Sequence, residues 1–227
     1  ELPKEFFVGL KNSISFIDFP VHPDVSILEP KKLLYSPYHV YAGILTLELV
    51  RELDRSNKEN AQYTIGIISP YKAQSMLMNK LITSSGISSN MTVHCDTVHG
   101  FQGDECDIVI FVVNPNNIFY TGHPNSLLSK EYIYNVAISR AKDYLWILYP
   151  FSSIPNNPHI NELREIAGHQ TAIIKSATIE QHLFHDHEFI LKNSYLTGHD
   201  NINVFGQVEM SYFIKAGSTA IDLQLRL

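Results

Sequence analysis

Apolar and polar positions along the first two thirds of the chain follow two periods, and each period predicts one kind of element. Short runs of branched or aromatic residues, bounded by Gly, Pro, Asn or Ser, predict strands at Ile14–Phe19, Thr64–Ser69, Met91–Cys95, Ile108–Val113 and Tyr144–Tyr149. Apolar residues at every third or fourth position predict helices at Tyr38–Arg55, Pro70–Thr83, Lys130–Lys142 and His159–Ala167. Strands that alternate with helical crossovers favour a parallel, right-handed α/β sheet with its ligand loops at the carboxyl ends of the strands.

Local composition adds detail around the first helix. Val21–Pro37 contains three prolines, so a connecting loop is predicted there. Within Tyr38–Arg55, the pairs Glu48–Arg51 and Glu52–Arg55 have the spacing of ion pairs and are expected on the solvent side of the helix.

The pattern changes after residue 150. Phe151–Pro158 is rich in Pro, Ser and Asn and marks a predicted boundary between a domain at 1–150 and an appendage at 151–227. Alternating residues predict antiparallel strands in the appendage at Asn201–Phe205, Glu209–Ala216 and Thr219–Leu225. The fold class is therefore α/β with a small antiparallel, β-rich C-terminal appendage, whose role the sequence leaves open.

Composition narrows the class of protein. The 227 residues carry a formal net charge of −6 and show no basic footprint, so any contact with nucleic acid must use a few placed groups. No apolar run approaches the ~20 residues of a membrane span, and no signal peptide is visible. The two cysteines, Cys95 and Cys106, show no metal-binding spacing and fit the cytoplasm or another reducing intracellular compartment. Because the chain starts at Glu1 rather than Met, we expect a piece of a longer protein.

The stretch Asp96–Phe111, D-T-V-H-G-F-Q-G-D-E-C-D-I-V-I-F, combines a polar turn with a buried strand. Gly100 and Gly103 allow a sharp turn or a close approach to a ligand. Hydroxyl, amide and carboxylate groups gather on that turn, so a ligand loop is predicted.

These residues resemble motif V of superfamily 1 helicases, in the branch that resembles the nonsense-mediated-decay and replication helicases. Ile65–Gln74, I-G-I-I-S-P-Y-K-A-Q, resembles motif IV, and Tyr134–Leu148, Y-N-V-A-I-S-R-A-K-D-Y-L-W-I-L, resembles motif VI. The three segments occur in the order of the family, and the resemblance covers Ser13–Tyr149. It implies a RecA-like fold and the second motor domain of an ATP-dependent DNA or RNA helicase.

The resemblance also implies roles on the nucleotide side. Arg140 matches the motif VI arginine that stabilises charge on the γ-phosphate, although an arginine that caps or pairs on a helix surface is the alternative. Glu105 matches the motif V carboxylate that accepts hydrogen bonds from the ribose, and Gly103 would allow the close approach. Asp104 and Asp107 are expected to be solvated or capping residues.

On the nucleic-acid side, the resemblance implies that Thr97 and His99 hold phosphates and that Gln102 couples this side to the nucleotide. The earlier turn adds four residues at the start of a helix whose N-terminus attracts phosphate; they are Ser69, Pro70, Tyr71 and Gln74. An aromatic ring at position 71 that simply packs on the sheet is the alternative.

The chain departs from the family pattern in several places. It contains no G-x-x-x-x-G-K-[S/T] sequence and lacks the acidic pair that holds Mg²⁺. The arginine motif Q-Y-R-x-H-P is absent, and the helix after Pro37 lacks the expected Asn-x-x-Glu-Ala run. We therefore expect ATP and Mg²⁺ to bind only when a first RecA-like domain of the same polypeptide is present, and the isolated chain to hydrolyse no ATP. Single-stranded DNA or RNA is the further partner that we expect.

Two alternatives stay open in the sequence. A domain that has lost its motor partner would be a non-catalytic scaffold or nucleic-acid-binding module. The histidines His182, His185 and His187 lie next to Asp186 and Glu188, but a solvated loop explains them better than a metal site, and no metal site is predicted.

Overall fold

The computed structural model describes residues 1–22, 28–83, 85–101, 105–115, 126–154, 156–168, 173–176 and 178–179. The strands are β1 (Ile14–Asp18), β2 (Pro30–Leu33), β3 (Ser36–His39), β4 (Tyr63–Ser69), β5 (Met91–Thr97), β6 (Cys106–Val112), β7 (Ala141–Leu148) and β8 (Ile173–Lys175). The helices are α1 (Val40–Ser56), α2 (Lys72–Thr83), α3 (Glu131–Arg140) and α4 (Pro158–Ala167).

Six strands form one parallel sheet in the order β5-β4-β6-β7-β1-β8. Alternate residues of each strand point to opposite faces, so Ile65 and Ile67 of β4 join the apolar cluster under α1 and α2. Ile68 joins the cluster on the other face, with Ile133 of α3 and Ile160 of α4. The predicted α/β sheet is confirmed, and helices on both faces give it the arrangement of a RecA-like domain.

Because the strands are parallel, all their carboxyl ends lie on one side of the sheet and all their amino ends on the other. We call these two sides the carboxyl edge and the amino edge, and functional residues can gather at either. β4 connects through α2 to β5 on one side, whereas β6 connects through α3 to β7 on the other. Open α/β sheets bind ligands at the carboxyl ends of such diverging neighbours, so a crevice is expected between the ends of β4 and β6. The opposite, amino edge carries the residues that precede each strand.

The structure corrects the expected loop at Val21–Pro37. Its second half is an antiparallel hairpin of β2 and β3, in which Lys31 pairs with Tyr38 and Lys32 with Pro37. Sequence analysis missed the hairpin because prolines usually indicate a loop. Proline breaks the central strands of a sheet, but it is tolerated in edge strands.

The ion pairs of α1 differ from the prediction in the burial of their carboxylates. The ion pairs of α1 form as predicted, with Arg51 Nη1 2.7 Å from Glu48 Oε1 and Arg55 Nη2 3.1 Å from Glu52 Oε2. The carboxylates are buried rather than solvated, since Glu48 is 1% and Glu52 9% exposed.

The edge strand β8 was not predicted; it pairs with β1, and the Lys175 ammonium contacts the Asp18 carboxylate.

The appendage falls mostly outside the described residues, and so do its predicted strands at 201–205, 209–216 and 219–225. The division at residue 150 stays a prediction; α4 and β8 continue the same sheet and core beyond it.

Candidate functional site

The two residues predicted for the nucleotide side come together at the amino edge of the sheet. Glu105 directly precedes β6 and Arg140 directly precedes β7, and the first residues of these strands, Cys106 and Ala141, are paired. Because paired strands lie roughly 4.8 Å apart, the backbone positions of Glu105 and Arg140, one residue before this pair, are close to each other. These two residues therefore lie at the amino ends of the strands, away from the carboxyl ends where ligand loops are expected, since a residue just before a parallel strand lies at its amino end.

Arg140 ends α3 and has a buried donor that finds no partner among the described residues. Its Nε atom is buried and makes no hydrogen bond to any of them, while the residue as a whole is half-buried and Glu105 is exposed. A buried polar group without a partner is rare and costs free energy. A guanidinium in this state fits an anionic oxygen as its partner, so the site suits the phosphates of a nucleotide.

Asp107 stiffens the start of β6 beside this pair. Its Oδ2 accepts hydrogen bonds at 2.8 Å from both the backbone N–H and the hydroxyl of Thr64, and its own N–H donates to that hydroxyl at 2.9 Å. These bonds tie β6 to β4. Asp107 is thus a partly buried residue within a strand rather than the solvated or capping residue that was expected, and its carboxylate serves the structure.

The predicted nucleic-acid residues Ser69 and Thr97 meet at the opposite, carboxyl edge. They end β4 and β5 and are paired with each other. The Thr97 hydroxyl and carbonyl accept hydrogen bonds from Gly100 N–H at 3.2 and 3.1 Å, and the carbonyl also accepts from Phe101 N–H at 2.9 Å. Thr97 thus organises the tight turn that opens the motif V stretch.

Two glycines let this turn lie close to the sheet. A Cβ at Gly100 would collide with the Asp96 carboxylate, which already accepts from Thr97 N–H at 2.6 Å. A Cβ at Gly66, in the middle of β4, would lie 2.7 Å from Cζ of Phe101. Phe101 therefore rests where only glycine leaves room.

The other residues of the motif IV turn are buried. Pro70 and Tyr71 are buried, and burial raises the pKa of the Tyr71 phenol to about 12 against the opposing effect of the Ser126 hydroxyl. Gln74 is 0% exposed, and its Oε1 accepts from His39 N–H at 2.6 Å. Tyr71 is packed on the sheet, which agrees with the alternative interpretation of this residue. Gln74 joins α2 to the start of α1. Contacts of these residues with nucleic acid stay predictions.

His99 lies on the surface with a partner that sequence analysis missed. Its ring centroid is 5.7 Å from that of Tyr132 in the first turn of α3, and Tyr132 is 46% exposed. Lys130, also exposed, begins the same helix. The pair joins motif V to the helix of motif VI, and only the tertiary fold brings the two rings together.

Asn114 is a second residue that sequence analysis missed. It follows β6 where the crevice between the ends of β4 and β6 is expected and is 0% exposed, and within the described part of the chain neither its Nδ2 nor its Oδ1 has a hydrogen-bond partner. The signal in the sequence was an asparagine directly after a predicted buried strand. It did not stand out because several other asparagines follow in the same segment.

Some predicted residues lie outside the described part of the chain, namely Gln102, Gly103, Asp104, His182, His185 and His187. Among the residues that the structure does describe, no group of three His, Cys, Asp or Glu side chains could hold a metal ion. No helix in that same part of the chain has the length and hydropathy needed to cross a bilayer. Cys95 and Cys106 form no disulfide bond, and the intracellular location stays a prediction.

The fold and the two edges define a RecA-like α/β domain with an arginine–glutamate pair at one edge and a hydroxyl-bearing turn at the other. Residues 39–149 match the family described as an AAA domain. The probable helicase senataxin of Homo sapiens is 34% identical over 149 residues, which make up 65% of this chain and 5% of that protein.

Two further proteins are similar over shorter segments. The helicase SEN1 of Saccharomyces cerevisiae is 33% identical over 108 residues, or 46% of this chain and 5% of SEN1. The replicase polyprotein 1ab of Alphamesonivirus 1 is 41% identical over 97 residues, or 43% of this chain and 2% of the polyprotein. The chain thus spans about a twentieth of the length of senataxin and SEN1. Together with the fold, these similarities support a domain that resembles those of superfamily 1 helicases.

Proposed function

We propose that the chain is the second RecA-like motor domain of an ATP-dependent DNA or RNA helicase and works with a first RecA-like domain of the same polypeptide. The observation that carries the proposal is the separation of the two groups of motif residues. Arg140 and Glu105 stand together at the amino edge, whereas Thr97 and Ser69 stand together at the carboxyl edge. A motor that couples two ligands needs two such sites on one rigid sheet.

At the amino edge, Arg140 would donate hydrogen bonds to the γ-phosphate oxygens and stabilise the charge that develops there. Its unpartnered Nε fits this task. Glu105 would accept hydrogen bonds from the ribose hydroxyls, which a carboxylate does without competing as a donor. ATP with Mg²⁺, when bound between the two domains, supplies the phosphoryl group.

At the carboxyl edge, the Thr97 hydroxyl would donate its hydrogen to a backbone phosphate while its oxygen keeps the bond from Gly100 N–H. Such a contact positions a strand without reading its sequence. The exposed His99 and Tyr132 rings lie beside this turn and offer surfaces on which a base could stack.

The first experiment measures steady-state ATP hydrolysis by the full-length protein. Arg140→Ala should lower kcat by about 10³ or more, the scale of an arginine finger, while nucleotide affinity changes less. Arg140→Lys should rescue little because an ammonium does not reproduce the planar fork of the guanidinium. Arg164→Ala on α4 is the matched control, since this arginine is exposed and its guanidinium lies over the Phe151 ring, 5.5 Å from the ring centroid.

Turnover close to wild type in Arg140→Ala would remove this arginine from the site, whereas a wild-type full-length protein that hydrolyses no ATP would favour the non-catalytic scaffold. The isolated 227-residue chain should hydrolyse no ATP with or without single-stranded nucleic acid. Turnover by the pure chain that Arg140→Ala abolishes would contradict the need for a first domain.

The second experiment compares the two edges. Glu105→Ala should mainly raise the KM for ATP, because the ribose contact exists in ground and transition states alike. Thr97→Ala should leave basal hydrolysis intact and lower the affinity for stimulating nucleic acid several-fold, which corresponds to about 1 kcal/mol for one hydrogen bond. Thr97→Ser, which keeps the hydroxyl, is the control. Identical profiles for the two alanine variants would show that the loop is only structural.

A further inference from the structure

The tip of the β2–β3 hairpin exposes two large apolar side chains. Leu34 and Tyr35 form the two-residue turn between the strands and are 86% and 96% exposed. Single exposed apolar residues are common on protein surfaces, but two adjacent ones at a protruding tip form a contact surface.

The same tip carries backbone strain. Leu34 has a φ of +56°, in the left-handed region that a branched aliphatic residue rarely adopts. Two-residue hairpin turns with a positive φ at the first central position favour glycine there. Strain of this kind concentrates at functional sites, and here it comes with the cost of exposing the leucine side chain.

Two hydrogen bonds dock the hairpin on the start of α2. The Ser36 hydroxyl accepts from Ala73 N–H at 2.9 Å, and His39 N–H donates to Gln74 Oε1 at 2.6 Å. Because α2 follows β4 directly, the tip stands beside the Ser69 end of the sheet. Ser69 is paired with Thr97, so the tip borders the proposed nucleic-acid edge.

The charges around the tip favour an anionic partner. Lys32 precedes the turn by two residues and Lys72 begins α2, and both are exposed. Two carboxylates on these segments are also exposed, namely Asp96, which accepts from Thr97 N–H, and Glu29 ahead of β2. Aromatic rings combined with lysines are the usual means of binding single strands without sequence preference.

We infer that the hairpin tip is an additional contact for single-stranded nucleic acid, with Tyr35 stacked on a base and Lys32 and Lys72 near the flanking phosphates. The inference rests on the proposed function, because it extends the nucleic-acid edge of the same sheet. We favour nucleic acid over a protein as the partner of the tip, since the tip is continuous with that edge and is flanked by lysines.

The test measures binding of a fluorescent single-stranded oligonucleotide to the full-length protein by anisotropy. Tyr35→Ala should weaken binding by roughly fivefold or more, the low end of the effect of removing one stacked base, whereas Tyr35→Trp should retain affinity. Replacing both Lys32 and Lys72 by alanine should lower the slope of log Kd against log salt by about 1.4, or roughly 0.7 for each phosphate left without its lysine. Ile166→Ala on α4, which removes another exposed apolar side chain, should bind as wild type does.

Leu34→Gly separates function from folding. Glycine accepts the positive φ, so this variant should raise Tm by a few degrees, and it should weaken binding less than Tyr35→Ala does because it keeps the stacking ring. Wild-type affinity in Tyr35→Ala would overturn the inference, and a loss of affinity for a protein partner alone would assign the tip to that partner instead. If Thr97→Ala weakens binding while the tip variants do not, the inference fails and the proposed function stands. If the wild type binds no oligonucleotide, both fail.

Discussion

His39 should make the fold less stable as the pH falls below 6.5. It ends β3 and caps α1, where its Nδ1 accepts from Ala42 N–H at 3.2 Å and its Nε2 donates to the Leu28 carbonyl at 2.8 Å. Only the neutral ring can make both bonds, because a proton on Nδ1 would face the Ala42 N–H.

The size of the effect follows from the pKa of the ring. Burial lowers the pKa of His39 from 6.5 to about 4, with the Leu28 carbonyl opposing the shift and the charge of Lys31 adding to it. The unfolded chain takes up the proton near pH 6.5 and the folded chain only near pH 4, so the unfolded state binds more protons between these values. Stability is therefore complete above pH 6.5 and is lost as the pH falls towards 4. The loss is about 1.4 kcal/mol at about pH 5.5 and about 2.5 kcal/mol at about pH 4.5.

Urea denaturation of the 227-residue chain at pH 7.5, 6.5, 5.5 and 4.5 would measure this loss, with His39→Asn as the comparison. Asparagine is a good N-cap and does not titrate, so the variant should start less stable at pH 7.5 but decline less as the pH falls. Carboxylates titrate equally in both proteins and cancel in the difference. Parallel curves for wild type and variant would show that His39 is not buried as a neutral ring.

Three further predictions test contacts at and between the two edges. Gly66→Ala should destabilise the fold by about 1–3 kcal/mol in urea denaturation, because the new methyl group would meet the Phe101 ring; an unchanged midpoint would contradict that contact. Asp107→Ala should cost about 2 kcal/mol in the same assay, since two donors of Thr64 lose their acceptor; a change below roughly 0.5 kcal/mol, the scatter of surface substitutions, would refute this. Tyr132→Ala should weaken single-stranded oligonucleotide binding several-fold in anisotropy titrations, whereas Tyr132→Phe should not; equal losses would argue against stacking.

The strands and helices of the sheet could be predicted because each one carries a local signal. From Ile108 onwards β6 is a run of branched apolar residues and Phe111, as expected for a strand buried on both faces. The hairpin lacked that signal, since its turn is Leu34–Tyr35 where Asn-Gly or Gly would normally mark a turn. β8 has three residues, too few for a period to be recognised.

The site could be predicted only in part, because its geometry depends on strand register. Arg140 and Glu105 were selected by their resemblance to family motifs, and nothing local in the sequence places them side by side. Their proximity follows from the pairing of Cys106 with Ala141. Likewise the contact between His99 and Tyr132 requires that the β5 turn and the start of α3 meet at one edge, which pattern analysis does not reveal.

The motif V stretch connects the two edges over a short length of chain, and this has a mechanical consequence. Only eight residues separate Thr97 from Cys106, whereas the seven residues of β6 span roughly 20 Å from one edge to the other. The turn closed by the bond from Phe101 N–H to the Thr97 carbonyl uses part of this connection without advancing along the strand. Phe101 is seated against Gly66 midway, and the Cys106 sulfur lies close to the same glycine. We expect a displacement of the Thr97 turn by a bound strand to press on Phe101 and, through the space beside Gly66, on Cys106 at the start of β6. The two proposed sites would then be coupled through these apolar contacts, without requiring any change in the sheet itself.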